Sequence, residues 1–88
     1  MNEQEFRQRV EQEGYGEIGE QSLEADRVTD EHTHDFSAAA FVLSGQLSGA
    51  TSEGTTTCRA GDSFFLEADV PHSEIVGSDG VRFLFARK

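Results

Sequence analysis

One cysteine, Cys58, is the only thiol in 88 residues. No internal disulfide can form, so nothing covalent staples the fold and the chain reads as cytoplasmic rather than as a disulfide-framed secreted domain. Basic residues are scarce as well: seven Lys and Arg face seventeen Asp and Glu, for a formal charge of −10. An electrostatic nucleic-acid binder needs a basic face to displace counterions from phosphates, and docking on an anionic membrane needs the same. Both partner classes are therefore set aside. No apolar run approaches the ~20 residues of a membrane helix, and no charged-then-apolar leader resembles a secretion signal. A Walker-type loop, a dinucleotide fingerprint, a paired C-x-x-C and a nucleophile elbow are all missing, as are repeats and low-complexity segments. What is left is one soluble domain, residues 1–88. A chain this short buries only about 60–65% of the surface its unfolded form exposes, so its core must be compact and closed.

The charge that is present is uneven, because residues 1–35 hold eleven of the seventeen carboxylates against only Arg7, Arg9 and Arg27. The first stretch nevertheless has the marks of a short helix over residues 1–14. Asn2 can cap it, Glu5 sits where a capping box needs an acid, and Phe6 and Val10 make an i, i+4 apolar pair before Gly14 stops it. A helix of ~12 residues is marginal alone in water, so Phe6 and Val10 are expected to dock on the rest of the domain.

From residue 15 to 88 the pattern changes to short strands separated by turn residues. Extended pieces are expected over residues 15–23, 27–34, 37–43, 46–51, 55–59, 63–66, 72–76 and 81–86, with turns at Ser44-Gly45, Ser52-Glu53-Gly54, Ala60-Gly61-Asp62 and Gly77-Ser78-Asp79-Gly80. Seven or eight short strands at about ten-residue spacing indicate an all-β barrel or sandwich.

Three histidines carry the chemistry. His32 and His34 lie two apart in an extended segment, so period-2 geometry sends both imidazoles to one face, with Cα atoms about 6.5–7 Å apart. His72 follows Val70-Pro71 at the start of a later strand, and Glu74, two residues on, faces the same way. A divalent metal needs neutral nitrogens or anionic oxygens converging from several strands, and a barrel interior supplies that convergence.

These residues sit in two segments with a family signature. His32-Thr-His34 leading to Phe41-Val42-Leu43-Ser44-Gly45 resembles the first motif of the cupins, and Gly61-Asp62 through Pro71-His72 resembles the second. Residues 46–60, between the two, match the short intermotif region of small bacterial cupins. The resemblance spans residues 20–86. It implies a small antiparallel β-barrel of the double-stranded β-helix type, often dimeric, with a mononuclear divalent transition metal such as Fe, Mn, Ni, Cu or Zn. The departures are specific. Ala38 stands where the cupin glutamate ligand usually falls, Glu67 and Asp69 replace the Pro and Gly of the P-x-G turn, and Val76 replaces a frequent asparagine. Pirin-like cupins draw a carboxylate from an H-x-E position, and His72-Ser-Glu74 is similar, giving His32, His34, His72 and Glu74 as the implied ligand set.

Alternation from the histidines sends Ala38, Ala40 and Val42 inward and Ala39, Phe41 and Leu43 outward. Phe64 and Leu66 are expected to line the cavity beside the alanines. Val81, Phe83 and Phe85 share one face of the last strand, and Arg82, Leu84 and Ala86 the other. Apolar residues on both faces mean the barrel is covered outside too, by the N-terminal helix, by a second subunit burying Phe41, Leu43 and Leu84, or by both. Cys58 reads as a packed hydrophobe, and Tyr15 as packing rather than as an acid. Asp30, Glu31 and Asp35 flank the histidines and are available to orient an imidazole. The expected function is that of a small metal-binding cupin acting on a small oxygenated molecule, as a dioxygenase or an isomerase-like enzyme. The alternative is a module that binds or senses a small ligand or metal without catalysis.

Overall fold

The computed structural model describes all residues, 1–88. Helix α1 spans Glu3–Gln12 and both of its ends are closed by local chemistry. The Asn2 side chain accepts from the Glu5 backbone N–H at 2.9 Å, and the Glu5 carboxylate accepts from the Asn2 N–H at 3.0 Å. This reciprocal capping box satisfies donors that a helix start leaves orphaned. At the other end the Tyr15 N–H donates to the Val10 carbonyl and the Gly14 N–H to that of Glu11. Gly14 is left-handed at φ 78°, and together these bonds form a Schellman stop.

Six antiparallel strands follow: β1 (Gly19–Leu23), β2 (Val28–His32), β3 (Ala38–Thr51), β4 (Gly54–Arg59), β5 (Ser63–Leu66) and β6 (His72–Arg87). Two of the expected turns prove to be bends inside long strands. Ser44-Gly45 lies within β3, and Gly77-Ser78-Asp79-Gly80 within β6. The reason is steric and local. Gly45 (φ 79°) and Gly80 (φ 76°) meet backbone to backbone, and a Cβ on Gly45 would stand 2.0 Å from the Gly80 carbonyl oxygen. The ladder steps from Gly45↔Val81 to Leu47↔Val76, so residues 77–80 bulge against Gln46 alone. Bulges bend strands and increase their twist, and here they carry β3 and β6 from one layer into the other.

The result is two four-stranded layers sharing β3 and β6. In one, β1 pairs the second half of β6 and β5 pairs the first half of β3, as in Gly19↔Phe85 and Ala38↔Leu66. In the other, β2 pairs the first half of β6 and β4 the second half of β3, as in Val28↔Ile75 and Gln46↔Arg59. Sharing long strands closes the sheet into a small barrel, one of the two architectures that the strand pattern indicates.

The two faces of the wall hold separate cores. Ala40, Val42, Leu47, Cys58, Val76, Val81 and Phe83 pack inside. Ala39, Phe41, Leu84 and Ala86 pack outside against Phe6 and Val10 of α1. The inward and outward sets expected from alternation are thus the observed ones. Of the covers expected for the outer face, the N-terminal helix is the one present within the single chain: α1 packs over Phe41 and Leu84, and Leu43 keeps partial exposure. Tyr15 packs edge-on to Phe65 in the outer core, as expected.

Candidate metal centre

β2 and β6 bring the histidines together. His32 is the cross-strand partner of His72, which sets two imidazoles side by side at the end of the ladder. His34 lies just past β2, in a segment held by its own carbonyl, which accepts from the Asp69 N–H at 2.8 Å. The three ring centroids stand 4.2 to 5.0 Å apart, and a nitrogen from each ring lies within 4.8 Å of those of the other two.

Backbone carbonyls fix two of the rings. His32 Nδ1 is 2.8 Å from the Asp30 carbonyl oxygen, and His72 Nδ1 is 2.8 Å from that of Val70. A carbonyl only accepts, so each Nδ1 carries a proton, which in the neutral ring leaves the lone pair on Nε2, the tautomer in which imidazole binds a metal. The orienting group on His32 is thus the backbone of Asp30, not one of the flanking carboxylates. Val70, invisible as an orienter in sequence, does the same for His72. His34 is steadied differently, by stacking on Phe36 with centroids 4.8 Å apart and rings 18° from parallel.

Glu74 faces the same space, as period 2 from His72 requires. Its Oε1 lies 3.7 Å from His32 Nε2 and 3.9 Å from His72 Nε2, close enough to join two of the three nitrogens around a common centre. Burial, and then the neighbouring His32 and His72, hold the His34 pKa below its usual 6.5, with Glu74 and Asp35 opposing. The imidazole is therefore kept neutral and able to donate its lone pair. Three imidazole nitrogens with a carboxylate beside them suit a divalent transition metal, and tolerate Fe, Mn, Ni, Cu or Zn.

The four side chains line one cavity of about 510 Å³, within the size range of small-molecule sites. Of the five residues expected to line it, Ala38, Phe64 and Leu66 do so. Ala40 and Val42 instead lie fully buried in the inner core. Cys58 also borders the cavity, and burial raises its thiol pKa, so it is a packed and unreactive side chain. The sequence reading missed Arg27, Thr29, Phe36 and Arg87, all of which border the cavity. For Arg27 and Thr29 the cause is a bulge between Thr29 and His32, which reverses the alternation counted back from His32.

A cupin-domain family model matches residues 19–86. The chain belongs to the cupin family. None of the curated protein sequences matches it. Among solved structures, this cupin is similar to a protein of unknown function from Rhizobium leguminosarum, with TM-score 0.75 and 18% identity over 80% of this chain and 66% of that one. It is also similar to the polyketide cyclase RemF from Streptomyces resistomycificus, with TM-score 0.65 and 22% identity over 80% and 52% of the two chains. Oxalate decarboxylase of Bacillus subtilis shares the fold at TM-score 0.68 and 18% identity, over 81% of this chain and 20% of the other. The cupin spans between 50% and 66% of the length of the first structures it matches. At such identities the likeness is one of fold, and a fold hosts many chemistries. No helix is long and apolar enough to cross a membrane.

Proposed function

We propose that this cupin holds one divalent transition metal on His32, His34 and His72, beside Glu74, and acts on a small oxygenated molecule as a dioxygenase or an isomerase-like enzyme. The observation that most supports the reading is the convergence of three imidazoles, two with Nδ1 tied to a carbonyl, on the wall of a cavity large enough for a ligand. Such a metal supplies a Lewis acid for an oxygen of the bound molecule. The chain's own contribution is to hold the His34 imidazole neutral, to orient the rings of His32 and His72 through their Nδ1 hydrogen bonds, and to offer Glu74 as a proton acceptor. Phe36, Phe64 and Leu66 exclude water around the ligand.

Elemental analysis of untagged protein tests the ligand set. About one equivalent of metal is expected in the parent protein, and His34→Ala should lose it. Undiminished metal in that variant would sink the assignment.

A second reading, binding without catalysis, is favoured by one observation: Glu74 is the only carboxylate on the cavity wall. If Glu74 is spent as a fourth ligand, no carboxylate base remains. Glu74→Gln separates the two roles. Retained metal with lost turnover marks Glu74 as a base, whereas weakened metal binding marks it as a ligand in a closed site.

A further inference from the structure

The cavity has a chemical polarity that the metal reading does not use. Its wall is largely apolar and rich in aromatic rings, with Phe36, Phe64, Phe83 and Phe85 all bordering it. Two guanidiniums, those of Arg27 and Arg87, border it as well, and both residues are solvent-exposed, which places them at its open rim. Arg7, Arg9 and Arg82 each pair with a glutamate. Of the basic residues without such a partner, Arg27, Arg59, Arg87 and Lys88, only Arg27 and Arg87 border the cavity. Arg87 is also held in place: its guanidinium sits 5.1 Å from the centroid of Phe36, the ring that stacks on His34. His34, Phe36 and Arg87 therefore form a row from the candidate metal centre to the rim.

We propose that the ligand of this cavity is a small monocarboxylic acid with an apolar, ring-sized body, its carboxylate recognised by Arg87. A planar guanidinium matches a carboxylate, and cation–π contact with Phe36 pre-orders it, which lowers the ordering cost of binding. Arg27 adds a second positive charge at the rim. The aromatic wall takes the body of the molecule and leaves its far end beside the imidazoles. A net charge of −10 repels multiply charged anions through its long-range field, so a single carboxylate is the form that the two local charges can admit. This deepens the functional reading, since it rests on the cavity being the ligand site, but it does not require the metal.

The test uses phenylacetate, its neutral analogue phenylacetamide, and acetate, each titrated calorimetrically into chelator-treated protein at low ionic strength. Phenylacetate is expected to bind about two- to fivefold more tightly than phenylacetamide, as a charged pair at an exposed rim allows, and far more tightly than acetate. Arg87→Gln should remove the preference for the acid, Arg27→Gln should weaken it less, and Arg87→Lys should restore part of it. Arg82→Gln changes the net charge equally, on the outer face, and should leave binding as it was. Equal binding of acid and amide, no binding of either, or an undiminished preference in Arg87→Gln would each overturn the proposal. Because the protein is metal-free in these titrations, elemental analysis continues to judge the metal centre separately.

Discussion

At the scale of single residues, similar-looking glycines have unlike costs. Gly14 and Gly45 share a left-handed backbone, at φ 78° and 79°. A Cβ on Gly14 meets nothing within 4 Å, whereas on Gly45 it would strike the Gly80 carbonyl. Gly14→Ala should therefore cost about 1 kcal/mol, the left-handed penalty alone. Gly45→Ala should cost about 3 kcal/mol or more, since backbone must also move. Urea denaturation of the two variants reads both values, and equal losses would contradict the close approach of β3 and β6. His34 gives a pH signature of similar clarity. Its pKa is lowered on folding, chiefly by burial, so below about pH 6.5 the unfolded chain binds a proton that the folded one resists, and stability falls as pH drops through that value. In metal-free protein the thermal midpoint should decline on acidification from pH 7 to 5.5, and His34→Ala should flatten that decline. A decline of the same slope in both proteins would remove His34 as its source. The histidine spacing and the H-x-E pair were legible in sequence because residue type and period 2 suffice to bring them to one face. Arg27 and Thr29 were not, because no local residue signals the bulge that follows Thr29 and turns them inward.

At the scale of elements, α1 does for the outer face of the barrel what the opposite wall does for the inner one. Phe6 is fully buried against Phe41 and Phe65, with ring centroids 5.6 and 5.9 Å away. Phe6→Ala should cost about 3–4 kcal/mol, from lost transfer energy and a residual cavity. Asn2→Ala, which removes one half of the capping box, should cost about 1 kcal/mol. Thermal unfolding of both variants measures the difference, and a Phe6→Ala loss no larger than that of Asn2→Ala would mean that the helix is not docked. The helix itself was readable from Asn2, Glu5 and Gly14, because its signals are local. The continuity of β3 and β6 is not legible in sequence, for the opposite reason. Gly45 and Gly80 look like turn residues in isolation, and only their apposition across the ladder shows that each bends a continuing strand.

At the scale of the whole molecule, the assembly we propose is a homodimer. With Phe41 and Leu84 covered by α1, the large apolar side chains that the barrel itself leaves open to a second copy are Val28 and Ile75, cross-strand partners that are 63% and 56% exposed, Met1 before the helix being the other exposed one. A charge of −10 per chain opposes such pairing at low ionic strength, and salt screens that repulsion. Sedimentation equilibrium should show dimer increasing between 0.02 and 0.15 M salt, on the order of Debye lengths from ~20 to ~8 Å, and Ile75→Glu should shift it towards monomer. A salt-independent monomer would refute the assembly. The sharing of β3 and β6 between both layers has a consequence of another kind, in the order of events as the chain folds. β6 pairs with β1, β2 and β3, so neither layer is complete until the strand farthest along the sequence has arrived. His32 waits for His72 in the same way. Folding must then be dominated by non-local closure and be slow for a chain this short, in the millisecond-to-second range usual for such topologies. The three-histidine cluster, being sequence-distant in the same sense, can form only at the end of that process.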